Sequence, residues 1–235
     1  MGGYYRIANL TVRMDTFGKT LAQALPYACE SAAADIVIHS DWRLLQTKQP
    51  HLTMDSCEYL CTGNSFYSQL LHHSGMMIHA SAVVVDGEAY LFSAPSGTGK
   101  STHTQLWLRK FGDRAYILND DKPALRREQN VWYAYGTPWS GKTALNVNCR
   151  VPVAGICFLH QSLCNKIEPL SGTEAILAVY QQTVRTGAAE TKALLMELMD
   201  QLLTQIPVWK MGCNMDPSAA ETAYEAMSGG NKREN

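Results

Sequence analysis

The alternation of hydrophobic and polar positions is clearest in residues 78–93, where two β-rich segments flank Asp86-Gly87. An Asp-Gly pair between two such segments is a strong short-range signal of a two-residue β-hairpin. The cross-strand pairs that this turn predicts are Val85 with Glu88, Val83 with Tyr90, Ser81 with Phe92, and His79 with Ala94. The second strand therefore pairs antiparallel with the first and leads directly into the following loop.

That loop, "SAPSGTGKST", differs at one position from the phosphate-binding pattern G-x-x-x-x-G-K-[ST], because Ala94 replaces the first glycine. A single methyl group is tolerated there if φ is negative. A strand, a glycine-rich loop and a helix N-terminus direct backbone N–H groups toward one anion. We therefore predict a nucleotide site, with Lys100 on the phosphates and Ser101 as a Mg²⁺ ligand. The predicted nucleotide contacts are Ser96, Gly97, Thr98, Gly99, Lys100, Ser101 and Thr102.

Periodicity along the rest of the chain predicts an α/β (α+β) fold with a mixed, largely antiparallel sheet, in which the hairpin leads into the loop and helices come after it. Predicted strands cover 4–12, 35–39, 114–121, 151–159 and a pair around the turn 128–130. Predicted helices cover 20–32, 64–73 and most of the C-terminal part, where Ser171 and Glu174 form a capping box. The predicted domains are a small mixed lobe at 1–62, a catalytic domain at 63–228 and a disordered tail at 229–235.

Three further features are candidates for chemistry. Asp120 and Asp121 are adjacent at a strand end, so their side chains point oppositely, and one can bind Mg²⁺ while the other accepts a proton. The alternative is that the two acids form only a solvated turn. In "YGTPWSGK", Lys142 and the amides before it could grip phosphate or acceptor, or the segment could be a turn with Trp139 in the core. His79 is either a site residue or an ordinary histidine at a strand end.

Composition excludes several classes of function. The formal net charge is −1 and the isoelectric point is near 6.6, so no basic surface for nucleic acid is expected. No apolar segment approaches the roughly 20 residues of a membrane span, and no signal peptide is recognisable. The seven cysteines are scattered without a disulfide framework. We therefore expect a cytoplasmic protein.

The segments "IHASAVVVDGEAYLFSAPSGTGKST", "YILNDD" and "YGTPWSGK" resemble the catalytic domain of HPr kinase/phosphorylase and, more loosely, the phosphoenolpyruvate carboxykinase fold. The resemblance covers about residues 75–160. It implies ATP and Mg²⁺ as cofactors, and it allows a homo-oligomer. The active-site groups that it implies are His79, Lys100, Ser101, Asp120 as the base and Asp121 as a metal ligand.

The function expected from these motifs is an ATP- and Mg²⁺-dependent kinase that transfers the γ-phosphate to a hydroxyl. The acceptor would be a peptide, a protein or a small hydroxyl compound, with a serine side chain favoured. Two alternatives are a regulatory module that binds nucleotide without transfer and a small carboxykinase-like enzyme. The predicted catalytic residues are Asp120, His79, Lys100 and Lys142.

Overall fold

A computed structural model describes residues 2–95, 97–185 and 187–229. The helices within these ranges are α1 (Gly18–Ala24), α2 (Trp42–Lys48), α3 (Met54–Leu70), α4 (Lys100–Phe111), α5 (Gly172–Gln181), α6 (Ala189–Gln205) and α7 (Ser218–Gly229). The strands are β1 (Gly3–Ile7), β2 (Leu10–Met14), β3 (Ile36–Ile38), β4 (Gly75–Met77), β5 (Ser81–Val85), β6 (Glu88–Ser93), β7 (Ala115–Asn119), β8 (Ala124–Glu128), β9 (Val131–Tyr135), β10 (Arg150–Gln161), β11 (Lys166–Pro169) and β12 (Val208–Cys213). Ser96 and positions 230–235 of the predicted tail lie outside the described residues, whereas Gly229 belongs to α7.

The larger sheet is mixed. Its strand order is β4-β8-β9-β10-β6-β5-β7, with β12 paired to β10 and β11 paired to β12. Strands β6 and β12 run parallel to β10, while β5 runs antiparallel to both β6 and β7. Strands β6, β7, β10 and β12 therefore all point the same way, and the predicted mixed α/β class is confirmed.

The hairpin has the predicted register. Ser81 pairs with Phe92, Val83 with Tyr90 and Val85 with Glu88, and both turn residues, Asp86 and Gly87, have positive φ. The extension of this pairing to His79 and Ala94 is wrong, because β5 begins only at Ser81. The backbone of His79 has other partners: its N–H donates to Gln182 O (2.7 Å), and its carbonyl accepts from Ser93 Oγ (2.8 Å).

Two predictions for the N-terminal segment are wrong. The predicted strand 4–12 is a hairpin of β1 and β2, which turns at Ala8 and Asn9 with φ of 50° and 59°. The turn was missed because alanine rarely adopts the left-handed region. The predicted helix 20–32 ends early, since the chain at Ala28 forms an antiparallel bridge with Tyr5 of β1.

Helix α3 begins ten residues before the predicted start at 64, with Thr53 as its N-cap. The predicted domain boundary at 62 therefore falls inside this helix. An apolar cluster on α3 combines residues of the small sheet β1-β2-β3, such as Val12, with Phe66 of α3 and Tyr135 of the larger sheet. The first sixty residues thus share a core with the rest of the chain.

The C-terminal part was predicted to be helical, but it also contains β11 and β12. The capping box is present, because Ser171 Oγ accepts from Glu174 N–H and the Glu174 side chain accepts from Ser171 N–H. Strand β12 lies beside β10, where the Trp209 ring occupies the space that a side chain at Gly155 would need. The predicted helices α5 and α6 cover this part of the sheet through an apolar cluster that includes Val179 and Leu202.

Candidate functional site

A pocket of about 470 Å³ lies at the carboxyl ends of β6 and β7. Strand β6 leads into the glycine-rich loop and α4, and β7 leads into Asp120-Asp121. The crevice outside the carboxyl ends of the strands is the usual binding site in open α/β sheets. The pocket is lined by His79, Gly97, Gly99, Lys100, Ser101, Thr102, Asp120, Asp121, Ser140, Gly141, Lys142 and Thr143.

The structure brings all four predicted catalytic residues and both predicted metal ligands to this one pocket. Of the predicted nucleotide contacts, Thr98 lines an adjoining cavity instead. Thr143 is a lining residue that the sequence did not indicate.

The glycine-rich loop places the N-terminus of α4 at the pocket. Gly97 and Gly99 have φ of 80° and 114°, values that side-chain-bearing residues rarely adopt. The first turn of a helix has backbone N–H groups without intrahelical partners, and these favour an anion. Lys100 Nζ donates to Ala94 O at 2.8 Å, and burial lowers the pKa of Lys100 although the neighbouring carboxylates oppose that shift.

Asp120 faces the first turn of α4. Ser81 Oγ donates to Asp120 Oδ1 at 2.7 Å, and Ser101 Oγ lies 3.3 Å from both carboxylate oxygens. The backbone N–H of Asp120 donates to Leu145 O at 3.1 Å. These bonds fix the carboxylate beside the hydroxyl of Ser101.

Asp121 has different partners. Its Oδ1 lies 3.0 Å from His79 Nε2, and its Oδ2 pairs with Lys122 Nζ. Burial raises the pKa of Asp121, but the His79 hydrogen bond and the Lys122 charge outweigh burial and lower the pKa to about 2. Asp121 is therefore ionised at neutral pH. The other ring nitrogen of His79 lies 3.2 Å from Gln182 Oε1, which fixes the ring.

The "YGTPWSGK" segment has Trp139 in the core and its last residues at the pocket. Trp139 is fully buried, its ring stacks on Phe66 at 4.8 Å, and its Nε1 donates to Thr62 Oγ1 at 3.1 Å. The next four residues line the pocket. Gly141 has φ of 72°, and a Cβ there would lie 2.9 Å from Asp121 Cβ. Trp139 therefore anchors a loop that approaches Asp121 closely.

Residues of the N-terminal segment form hydrogen bonds with this loop. Sequence reasoning did not predict these bonds. Gly141 N–H donates to Tyr59 Oη at 2.9 Å, and Gly141 O accepts from Lys19 Nζ and from Gln23 Nε2 at 3.4 Å. The ammonium groups of Lys19 and Lys122 lie 5.4 and 5.2 Å from the centre of the Tyr59 ring. The hydrogen bonds to Gly141 join residues 82 to 122 positions apart, so no local pattern could indicate them.

A family model described as "SynChlorMet cassette protein ScmC" matches residues 46–216, which is more than half of the chain. The chain belongs to the ScmC family. This family is a different one from the HPr kinase/phosphorylase family whose motifs the sequence resembles. The ScmC match includes every residue that lines the pocket, but it leaves out Lys19 and Gln23.

Matching solved structures include the Hpr(Ser) kinase/phosphatase from Coxiella burnetii. The two chains are 14% identical with a TM-score of 0.38, over 65% of this chain and 97% of that one. A TM-score of this size does not establish a shared fold or activity. No match to a curated protein was found.

The described residues contain no candidate for a membrane-spanning helix or for a cluster of metal ligands. No helix in 2–95, 97–185 or 187–229 is both long and apolar enough to cross a bilayer. Within the same ranges no group of three or more His, Cys, Asp or Glu side chains is arranged to hold a metal ion.

Proposed function

We propose that the chain is an ATP- and Mg²⁺-dependent phosphotransferase that transfers the γ-phosphate to a hydroxyl, favouring a serine of a peptide or protein. One observation carries this proposal. A single pocket contains a glycine-rich loop at a helix N-terminus, a lysine, and two adjacent carboxylates with separate partners. Phosphoryl transfer needs positioning and charge neutralisation more than covalent chemistry, and this pocket can supply both.

The cations of the pocket suit a triphosphate. Lys100 lines the pocket and is half-buried at the start of α4. Lys142 is exposed at the pocket and has no hydrogen bond or ion pair to any described residue, so its ammonium group is free to contact transferred phosphate. Loop amides and the helix N-terminus add neutral donors for the remaining phosphate oxygens.

Ser101 and Asp120 would hold Mg²⁺. Magnesium is usually bound through one or two carboxylates, with phosphates and waters completing the octahedron, so a hydroxyl and a carboxylate 3.3 Å apart fit this ion without a larger cluster of acids. The ion, when bound, neutralises charge on the phosphates. This assignment reverses the order that the resemblance implied, in which Asp121 was the metal ligand.

Asp121 would then face the acceptor hydroxyl. A carboxylate with a pKa of about 2 is a weak base, so its role is to orient the hydroxyl and to receive the proton late in a loose transition state. His79 and Lys122 keep it ionised. His79 acts through Asp121 and is therefore a positioning residue.

The test incubates ATP labelled at the γ-phosphate with Mg²⁺, a host cell extract and the purified protein, alongside Asp120→Asn and Asp121→Asn. We expect label on a peptide or protein with the unmodified chain. Asp120→Asn should raise the Mg²⁺ concentration that gives half-maximal transfer. Asp121→Asn should lower kcat by roughly 10²-fold or more, without changing the Mg²⁺ requirement.

Three results would contradict parts of the proposal. If label stays on ATP, or reaches water equally in all three proteins, transfer is refuted. Binding without transfer would then be the function, seen as stabilisation of about 2.7 kcal/mol at a ligand concentration of a hundred times Kd. A changed Mg²⁺ requirement in Asp121→Asn alone would restore the order implied by the resemblance.

A further inference from the structure

A second cavity, of about 650 Å³, adjoins the pocket. It shares Gly97, Gly99 and Thr102 with the pocket and adds Thr98 and His103. Its other residues follow or end two parallel strands. These residues are Gln161, Ser162, Leu163, Cys213, Asn214 and Met215.

Topology explains why these segments meet. Strands β10 and β12 run parallel to β6, with Phe158 opposite Ser93 and Gln161 opposite Cys213. The carboxyl ends of the three strands therefore lie at one edge of the sheet. The loops after β10 and β12 are placed beside the glycine-rich loop after β6.

Leu163 and Met215 are exposed on backbone that is held in place. Their exposed fractions are 94% and 78%, which is unusual for large apolar side chains. Asn214 Nδ2 donates to Leu163 O at 2.9 Å, and Asn214 N–H donates to Asn165 Oδ1 at 3.0 Å. Two apolar side chains on such backbone beside a cavity are suited to contact a flat organic ring.

His103 contributes an unused hydrogen-bond donor. An indole N–H only donates, so the 3.2 Å bond from Trp107 Nε1 makes His103 Nε2 an acceptor. Because Nε2 accepts, the single ring proton of His103 is on Nδ1. His103 is 2% exposed, and its Nδ1 has no partner among the described residues. A buried donor of this kind needs an acceptor from elsewhere.

We propose that this cavity is the nucleoside subsite, in which Leu163 and Met215 contact the base of a nucleoside triphosphate and His103 donates to an acceptor on the nucleoside. The inference rests on the proposed function. In phosphoryl transfer the attacking and leaving oxygens lie on opposite sides of the transferred group. Asp121, which faces the acceptor, and His79 line the first pocket. The nucleoside, which carries the leaving side of the phosphate chain, therefore lies in the adjoining cavity on the glycine-rich loop.

The test compares ATP with inorganic tripolyphosphate, which has the phosphates but no nucleoside. Calorimetry with Mg²⁺ measures the Kd of each for the unmodified chain, for Leu163→Ala/Met215→Ala, and for Leu177→Ala. Leu177 is an exposed leucine on α5 that lines neither the pocket nor this cavity, so its variant is the control. Both altered side chains are exposed, so folding should be unaffected.

We expect the double variant to bind ATP on the order of tenfold more weakly, with tripolyphosphate unchanged and the control unchanged for both ligands. Equal weakening of both ligands would mean that the glycine-rich loop was disturbed, and it would overturn the subsite. Unchanged ATP binding in the double variant would overturn the subsite while the phosphate pocket stands. Failure of both ligands to bind the unmodified chain would overturn the proposed function itself.

Discussion

Tyr59→Phe tests whether the N-terminal segment holds the pocket loop. The change removes the hydroxyl oxygen that accepts from Gly141 N–H at 2.9 Å. It keeps the ring beneath the ammonium groups of Lys19 and Lys122. The fold should therefore stay intact while the loop loses one of the contacts that fix it.

The size of the effect is set by the environment of the lost bond. An unsatisfied buried N–H costs about 1–3 kcal/mol. Gly141 is only partly buried, and its carbonyl keeps the bonds from Lys19 and Gln23, so the lower end applies. About 1 kcal/mol corresponds to a roughly fivefold larger population of the open loop.

Amide hydrogen exchange read by mass spectrometry measures that population directly. Peptides covering residues 139–146 should exchange roughly fivefold faster in Tyr59→Phe. Tyr224→Phe is the control, because the Tyr224 hydroxyl bonds the surface residue Asp86 far from the loop in sequence. Unchanged exchange in 139–146 would refute the idea that the Tyr59 bond holds the loop.

Three further predictions concern stability, each measured by urea unfolding. Glu58 is fully buried, and burial raises its pKa above 4.5. Its contribution to the free energy of unfolding is therefore present at low pH and is lost as pH rises through the raised pKa. Glu58→Gln should flatten this decline in stability with pH. Gly141→Ala should lower the free energy of unfolding by about 1–2 kcal/mol because of the positive φ alone, and it should also displace Asp121. Gly172→Ala is the control, because Gly172 has open space around it and the change should be close to neutral. Ser171→Ala should cost about 1 kcal/mol by removing the cap of α5.

Local signals account for the parts of the fold that were predicted. The register of β5 and β6 is set by Asp86-Gly87, because both positions adopt positive φ and an Asp-Gly turn fixes the pairing of its strands. The capping box at Ser171 and Glu174 is equally local, since its two residues are three positions apart. Both features depend only on neighbours in sequence, so one sequence suffices to recognise them.

The features that were missed depend on distant partners. The pairing of β5 with β6 does not extend to His79, because the backbone N–H of His79 donates to the carbonyl of Gln182, about a hundred residues away. Strand β12 forms beside β10, where Trp209 fits over Gly155, and hydrophobic periodicity near the C-terminus did not distinguish it from the helices around it. The pairing of Asp121 with His79 likewise joins residues 42 positions apart.

The same reasoning changes the interpretation of the first sixty residues. The sequence predicts a small mixed lobe there, because two short strands flank a helical pattern. In the structure, Lys19 and Gln23 of α1 and Tyr59 of α3 bond the loop at Gly141, which in turn lies against Asp121. A substitution in this segment can therefore shift the Asp121 carboxylate by moving the loop at Gly141. If Asp121 orients the acceptor hydroxyl, Lys19, Gln23 and Tyr59 help to set its position, and Tyr59→Phe should impair transfer more than nucleotide binding.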